Sequence, residues 1–152
     1  MFSLKTRITT FALGASRGMR QPALVKASLL NSAGEIVHRF ESVYAPETAC
    51  GRMRGLLGRA PPAAAEALWL RPCRSIHTIG MRYAIDVLFL DRRGTVLRAR
   101  RDLPPGRLAF APRGTASVLE CGGGSIPPDA APGWRVGVET SGSEFRDEKC
   151  MV

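Results

Sequence analysis

Lysine is scarce in this sequence: of its 22 basic residues, 19 are Arg and 3 are Lys. Carboxylates are scarce where the cations are densest. Between Thr48 and Arg113 there are 13 Arg, no Lys and four acids, Glu66, Asp86, Asp91 and Asp102. A field of that sign attracts nucleic acid, anionic lipid or a smaller anionic ligand. An arginine-biased genome would fill solvated positions the same way, and no recognised basic motif organises the charge. Also missing is any C-x-x-C pair. Cys50, Cys73, Cys121 and Cys150 stand far apart at irregular intervals, which excludes a zinc knuckle and a thioredoxin-like motif. A chain of 152 residues that is 45% hydrophobic builds a core without covalent staples, so the cysteines read as thiols. No apolar run approaches the roughly 20 residues of a membrane span, so the chain is expected to be soluble, with no transmembrane segment. Aromatics are few. Trp69 and Trp134 lie outside any aromatic–basic cluster and read as core anchors rather than stacking platforms.

What is present is punctuated and β-prone. Residues 1–22 carry Lys5, Arg7, Arg17 and Arg20 and no acid, around a short run from Ile8 to Ala15. That run is too short and polar for a clear signal, so the segment is expected to be a disordered basic lead-in to a cytoplasmic protein. Export is the alternative. Leu24 to Leu30 and Ile36 to Tyr44 form a hairpin across Asn31-Ser32-Ala33-Gly34. Thr48 caps the one expected helix, whose stripe is Ala49, Met53, Leu56 and Leu57, with Gly58 as its stop and Pro61-Pro62 beyond. Further strands are expected at Ala67 to Leu70, Ile85 to Leu90, Thr95 to Arg101, Leu108 to Phe110, Ala116 to Glu120 and Trp134 to Glu139. Asp91-Arg92-Arg93-Gly94 turns the second of these into the third. The pattern predicts one globular domain over residues 23–139 and a flexible polar tail over 140–152. The domain is mainly β: a small antiparallel sandwich, jelly-roll-like, or a partly closed barrel, with one packed α-helix.

Three stretches carry a resemblance. They are Arg52-Met53-Arg54-Gly55-Leu56-Leu57-Gly58-Arg59, then Ala67 to Arg82 running on into Ile85 to Asp91, and Val118-Leu119-Glu120-Cys121-Gly122-Gly123-Gly124. In this order they resemble the bacterial and archaeal family known as domain of unknown function 192, over about Leu24 to Glu139. The resemblance implies a compact β-sandwich-like fold with one helix packed on it, and no established activity. The chain departs from the family where Glu120 precedes Cys121 and three glycines, and in the Pro/Ala-rich stretch Pro127 to Pro132.

The chemistry-bearing residues cluster between Arg54 and Asp86. Cys73, His77 and Met81 recur at intervals of four, a thiolate–imidazole–thioether set suited to Cu(I) if it lay on a helix. Pro72 and Gly80 argue against that helix. Cys73 and His77 could instead serve as nucleophile and base with Asp86 as orienter, although no activating motif surrounds the cysteine. Asp86 lies in an apolar strand where a carboxylate needs a partner, and Arg54 or Arg82 would supply one as a structural ion pair. The reading favoured by these residues is a non-catalytic or accessory binding domain. Its site is a polar, Arg-rimmed groove drawn from Arg54, Cys73, His77, Met81, Arg82 and Asp86, for an anionic ligand or a protein partner. No catalytic residue, bound metal or cofactor is expected. The alternatives are a copper-type metal protein or thiol-dependent enzyme using Cys73, His77 and Asp86, and non-specific nucleic-acid binding through the arginine-rich face.

Overall fold

Short β-branched and aliphatic runs separated by Gly, Pro, Asn and Asp set the architecture. The computed structural model describes residues 23–139, and the expectations for 1–22 and 140–152 lie outside the described residues. The strands are β1 (Ala23–Leu30), β2 (Ile36–Ala45), β3 (Glu66–Leu70), β4 (Ser75–His77), β5 (Ile85–Leu90), β6 (Val96–Leu103), β7 (Leu108–Phe110), β8 (Ser117–Gly122) and β9 (Arg135–Glu139). One helix, α1 (Ala49–Arg54), follows β2. Seven strands form one curled sheet in the order β6-β5-β8-β3-β2-β1-β9, and β4 pairs with β7 in a separate two-stranded ribbon.

The large sheet is antiparallel except where β2 runs parallel to β3, with Val43 opposite Ala67. Its two edges meet at one corner. Thr95 bridges Arg135, and the Val96 N–H reaches the Trp134 carbonyl at 2.7 Å. Of the two architectures that the sequence allows, the partly closed barrel is the one formed. Gly94 sits at the seam with φ +78, its own carbonyl accepting from the Val136 N–H, and a Cβ there would lie 2.5 Å from the Val136 carbonyl oxygen. Gly94→Ala is therefore expected to cost about 2 kcal/mol, from a left-handed backbone plus a backbone clash. A urea titration reads this directly, and a loss under about 0.5 kcal/mol, the size of an ordinary surface substitution, would mean that the seam yields.

Both faces of the central strands β3, β5 and β8 are buried. Inside the curl, Leu29, Phe40, Trp69, Leu88, Leu119 and Trp134 belong to one core. On the outer face, Leu68, Leu70, Ile85, Val87, Phe89 and Val118 form a second, covered by Leu56, Met81, Ile76 and Ala109. Period-2 alternation explains why β5 and β8 are buried at every position: successive residues feed opposite cores.

The helix is shorter than its apolar stripe predicts. Thr48 caps it as expected, its hydroxyl accepting the Gly51 N–H at 3.0 Å. The helix then ends at Gly55, ahead of the expected stop at Gly58, and buries none of its own residues. Met53 is 76% exposed, while Leu56 is buried from the turn that follows. The reason is local: Gly55 adopts φ +52, and a Cβ there would stand 3.2 Å from the Glu120 carboxylate. The chain breaks its helix to pass over that side chain.

Candidate functional site

Of the six residues drawn together by the sequence, Asp86 faces the inner core, whereas Cys73 and Met81 pack at the outer one. Asp86 is fully buried, on the same face of β5 as Leu88 and Leu90. It pairs with neither Arg54 nor Arg82. Its Oδ1 accepts the Asp102 N–H at 2.8 Å and its Oδ2 the Ile126 N–H at 2.9 Å. Asp102 holds φ +48 while making that bond, a conformation that Asp tolerates better than most residues. Asp86 thus ties the end of β6 to the glycine-rich loop after β8, and its carboxylate is satisfied by backbone, not by an arginine.

Cys73, His77 and Met81 do not lie on one helical face. The chain between them contains β4, in which Ile76 faces the outer core and His77 faces away from it, exposed. Met81 is buried in that core, and Cys73 packs against it from the edge. The Cys73 thiol donates to the Ser75 carbonyl at 3.2 Å, and burial pushes its pKa up. That is the reverse of thiolate activation. No group of three or more His, Cys, Asp or Glu among the described residues could hold a metal ion. Cys50, Cys73 and Cys121 are free thiols, and burial holds Cys121 far above the ordinary thiol range. Arg54 and Arg82 are exposed, and Arg54 Nε donates to the Leu57 carbonyl at 3.3 Å.

Two features lie outside that sequence-drawn site. The first is Glu120, 4% exposed, on the outer-core face of β8 opposite Leu68 and Val87. Burial raises its pKa to about 7, against a hydrogen bond from the Leu56 backbone that pulls the value down. Tyr83 clamps the turn above it, its hydroxyl 3.3 Å from both the Leu56 and Ala60 carbonyls. Arg59 stacks at 4.6 Å over the Tyr44 ring beside this turn. The signal is present in the sequence: alternation along Val118-Leu119-Glu120 puts the carboxylate on the same face as Val118.

The second is a cavity of about 550 Å³ lined by Pro72, Arg74, Arg92, Ala111, Pro112, Arg113, Gly114, Thr115 and Ala116. It lies where the chain leaves β3, turns from β5 to β6, and enters β8. Three arginines and no acidic residue line it. All three arginines are exposed, and the ion pairs among the described residues, Lys26–Glu41 and Arg39–Glu139, involve none of them. Asp91, the nearest acid in sequence, is occupied by its own turn, accepting the Arg93 and Thr95 N–H groups at 2.8 Å each. Prolines flanking Arg74 and Arg113 stiffen the walls.

The barrel has known counterparts. A crystal structure from Sinorhizobium meliloti 1021, named "putative transcription regulator", superposes with a TM-score of 0.70 at 20% identity, covering 80% of this chain and 98% of that one. A protein of unknown function from Novosphingobium aromaticivorans DSM 12444 gives 0.64 at 19% identity, covering 87% and 97%. At these identities the likeness is one of fold. No curated protein matches the sequence. No helix among the described residues is long and apolar enough to cross a membrane. The family model for DUF192, described as "Uncharacterized ACR", matches residues 29–136, so this chain belongs to that family.

Proposed function

We propose that this domain is a binding module whose ligand is anionic and is held by Arg74, Arg92 and Arg113. The observation that carries the reading is the cavity lining: three arginines that take part in neither the Lys26–Glu41 nor the Arg39–Glu139 ion pair line one concave space, with no acid among the lining residues. A bound anion would supply the negative charge that the lining residues lack. Arginine also suits the task geometrically, since its planar fork gives paired hydrogen bonds to phosphate or carboxylate. This groove is a different one from the Arg54–Asp86 groove drawn from the sequence, and it shares none of that groove's six residues.

Nothing in the groove resembles a catalytic set. It holds no general base, no activated nucleophile and no carboxylate pair, which favours binding over chemistry. The test is calorimetric titration with inorganic triphosphate at low salt. Saturable one-to-one binding is expected in the wild type, weakened about tenfold by Arg74→Ala or Arg113→Ala, as for loss of one charge-assisted contact. Arg52→Ala, away from the groove, should change affinity less than twofold. Equal weakening by all three substitutions would assign the effect to net charge and overturn the reading.

A further inference from the structure

The ribbon formed by β4 and β7 buries Ile76 and Ala109 against the outer core and turns its other face to solvent. That outward face is unusually apolar for an exposed one. Phe110 is 71% exposed and Leu108 62% exposed. The register sets Ser75 opposite Phe110 and His77 opposite Leu108, so the Phe110 ring and the His77 imidazole are diagonal neighbours on one face. The platform is braced from behind. The Thr78 hydroxyl donates to the Pro104 carbonyl at 2.6 Å and accepts the Arg107 N–H at 2.9 Å, and the Ala111 N–H reaches the Arg74 carbonyl at 2.9 Å.

Cations stand at both ends of this platform. Arg107 immediately precedes Leu108. At the far end, Arg74 immediately precedes Ser75, and Arg113 follows three residues after Phe110 at the mouth of the arginine groove. The two stretches that build the ribbon and its surroundings, residues 67–85 and 103–119, contain no Asp or Glu.

We infer that the ligand of this site is a single-stranded nucleic acid, two or three nucleotides of which lie along the β4–β7 ribbon. A base stacks on Phe110, a neighbouring base lies against His77 and Leu108, and phosphates meet Arg107 at one end and the Arg74–Arg113 groove at the other. This rests on the anion-binding reading above and names its ligand class. Three residue pairs span about 10 Å, enough for that length of strand. Stacking needs an uncovered flat ring, and phosphates need cations spaced along a path, and the ribbon supplies both. A bilayer surface fits less well, because Ser75 and His77 interrupt the apolar face and the groove arginines are gathered in a concavity rather than ringed around an insertable tip.

The test uses full-length protein with a fluorescein-labelled twelve-residue oligo-dT, read by anisotropy. Phe110→Ser should weaken binding about 5- to 150-fold, the range for loss of one stacked base, while triphosphate binding stays within twofold of wild type. Arg74→Ala should lower the steepness of the salt dependence by about 0.7 in log–log slope. A duplex of the same length should bind more weakly, since its bases are already paired. Phe110 is exposed, so a melting temperature within about 2 °C of wild type is expected to certify the fold. Oligonucleotide affinity unchanged by Phe110→Ser overturns the stacking inference but spares the anion site if triphosphate still binds. Binding to vesicles of equal phosphatidylcholine and phosphatidylglycerol, with none to the oligonucleotide, overturns it in the same way. Loss of all triphosphate binding in the wild type sinks both.

Discussion

Replacing Asp86 by Ala is expected to lower the unfolding free energy by about 4 kcal/mol. The carboxylate is fully buried and accepts two backbone N–H groups that lie 16 and 40 residues away in sequence. Each such bond to a charged acceptor contributes about 1.5–3 kcal/mol, and its removal leaves a buried donor without a partner. The Asp102 N–H is also held at φ +48, a conformation that loses its reason once the acceptor is gone. Asp86→Asn should fall between, because an amide keeps one acceptor oxygen while presenting an N–H₂ to the other donor. Glu66→Ala is the control. Its Oε2 accepts the Ala63 N–H at 3.1 Å on the surface, a contact worth about 0.5 kcal/mol or less. Urea titrations of the three variants at one pH decide the matter. Losses for Asp86→Ala and Glu66→Ala that agree to within about 1 kcal/mol, the size of a single ordinary hydrogen bond, would show that both loops find other partners.

How much of this is legible in the sequence depends on whether the signal is local. Ile85 to Leu90 and Leu108 to Phe110 stand at the bounds the sequence predicts, because each is an apolar run closed by a turn. The Asn31 hairpin likewise declares itself, and Asn31 Oδ1 accepts the Ala33 and Glu35 N–H groups as an Asx turn does. β4 leaves no such trace: three residues between a proline and a glycine show no period, and the strand exists because β7 pairs with it. The helix is shorter than its pattern for a related reason. Met53, Leu56 and Leu57 are spaced for a helical face, but Gly55 turns the backbone over Glu120, a contact far away in sequence. The candidate site is the least legible part. Asp86 stands out as a carboxylate that needs a partner, but that partner is backbone brought in by two distant loops. The arginines that do share a cavity, Arg74, Arg92 and Arg113, come from three separate connections, and no spacing rule unites them.

The remaining large effect is electrostatic and concerns Glu120. Its carboxyl is buried beneath the turn after α1, and its pKa rises to about 7 from an ordinary 4.5. The folded state therefore holds a proton that the unfolded chain releases, and the sign of the linkage follows. Below about pH 4.5 both states are protonated, and the domain has its full stability with respect to this group. As pH rises from there to about 7 the unfolded state gains from ionisation and the folded state does not, so stability falls by about 3 kcal/mol and levels off above that pH. The groups that face Glu120 temper the loss only weakly. The Leu56 backbone offers one hydrogen bond, the Tyr83 hydroxyl is committed to two carbonyls, and the Cys73 thiol is itself held neutral by burial. Glu120→Gln keeps the shape and removes the ionisation. The variant and the wild type should match near pH 4 and diverge through neutrality, with the variant about 3 kcal/mol more stable at about pH 8. Because Tyr83 and Glu120 grip the same turn, amide exchange at Leu56 and Leu57 should accelerate in the wild type over that pH range beyond the intrinsic rise, and not in the variant. Parallel stability curves from about pH 4 to about pH 8 would mean that Glu120 ionises in the folded protein like a surface carboxylate, with the turn above it opening to admit water.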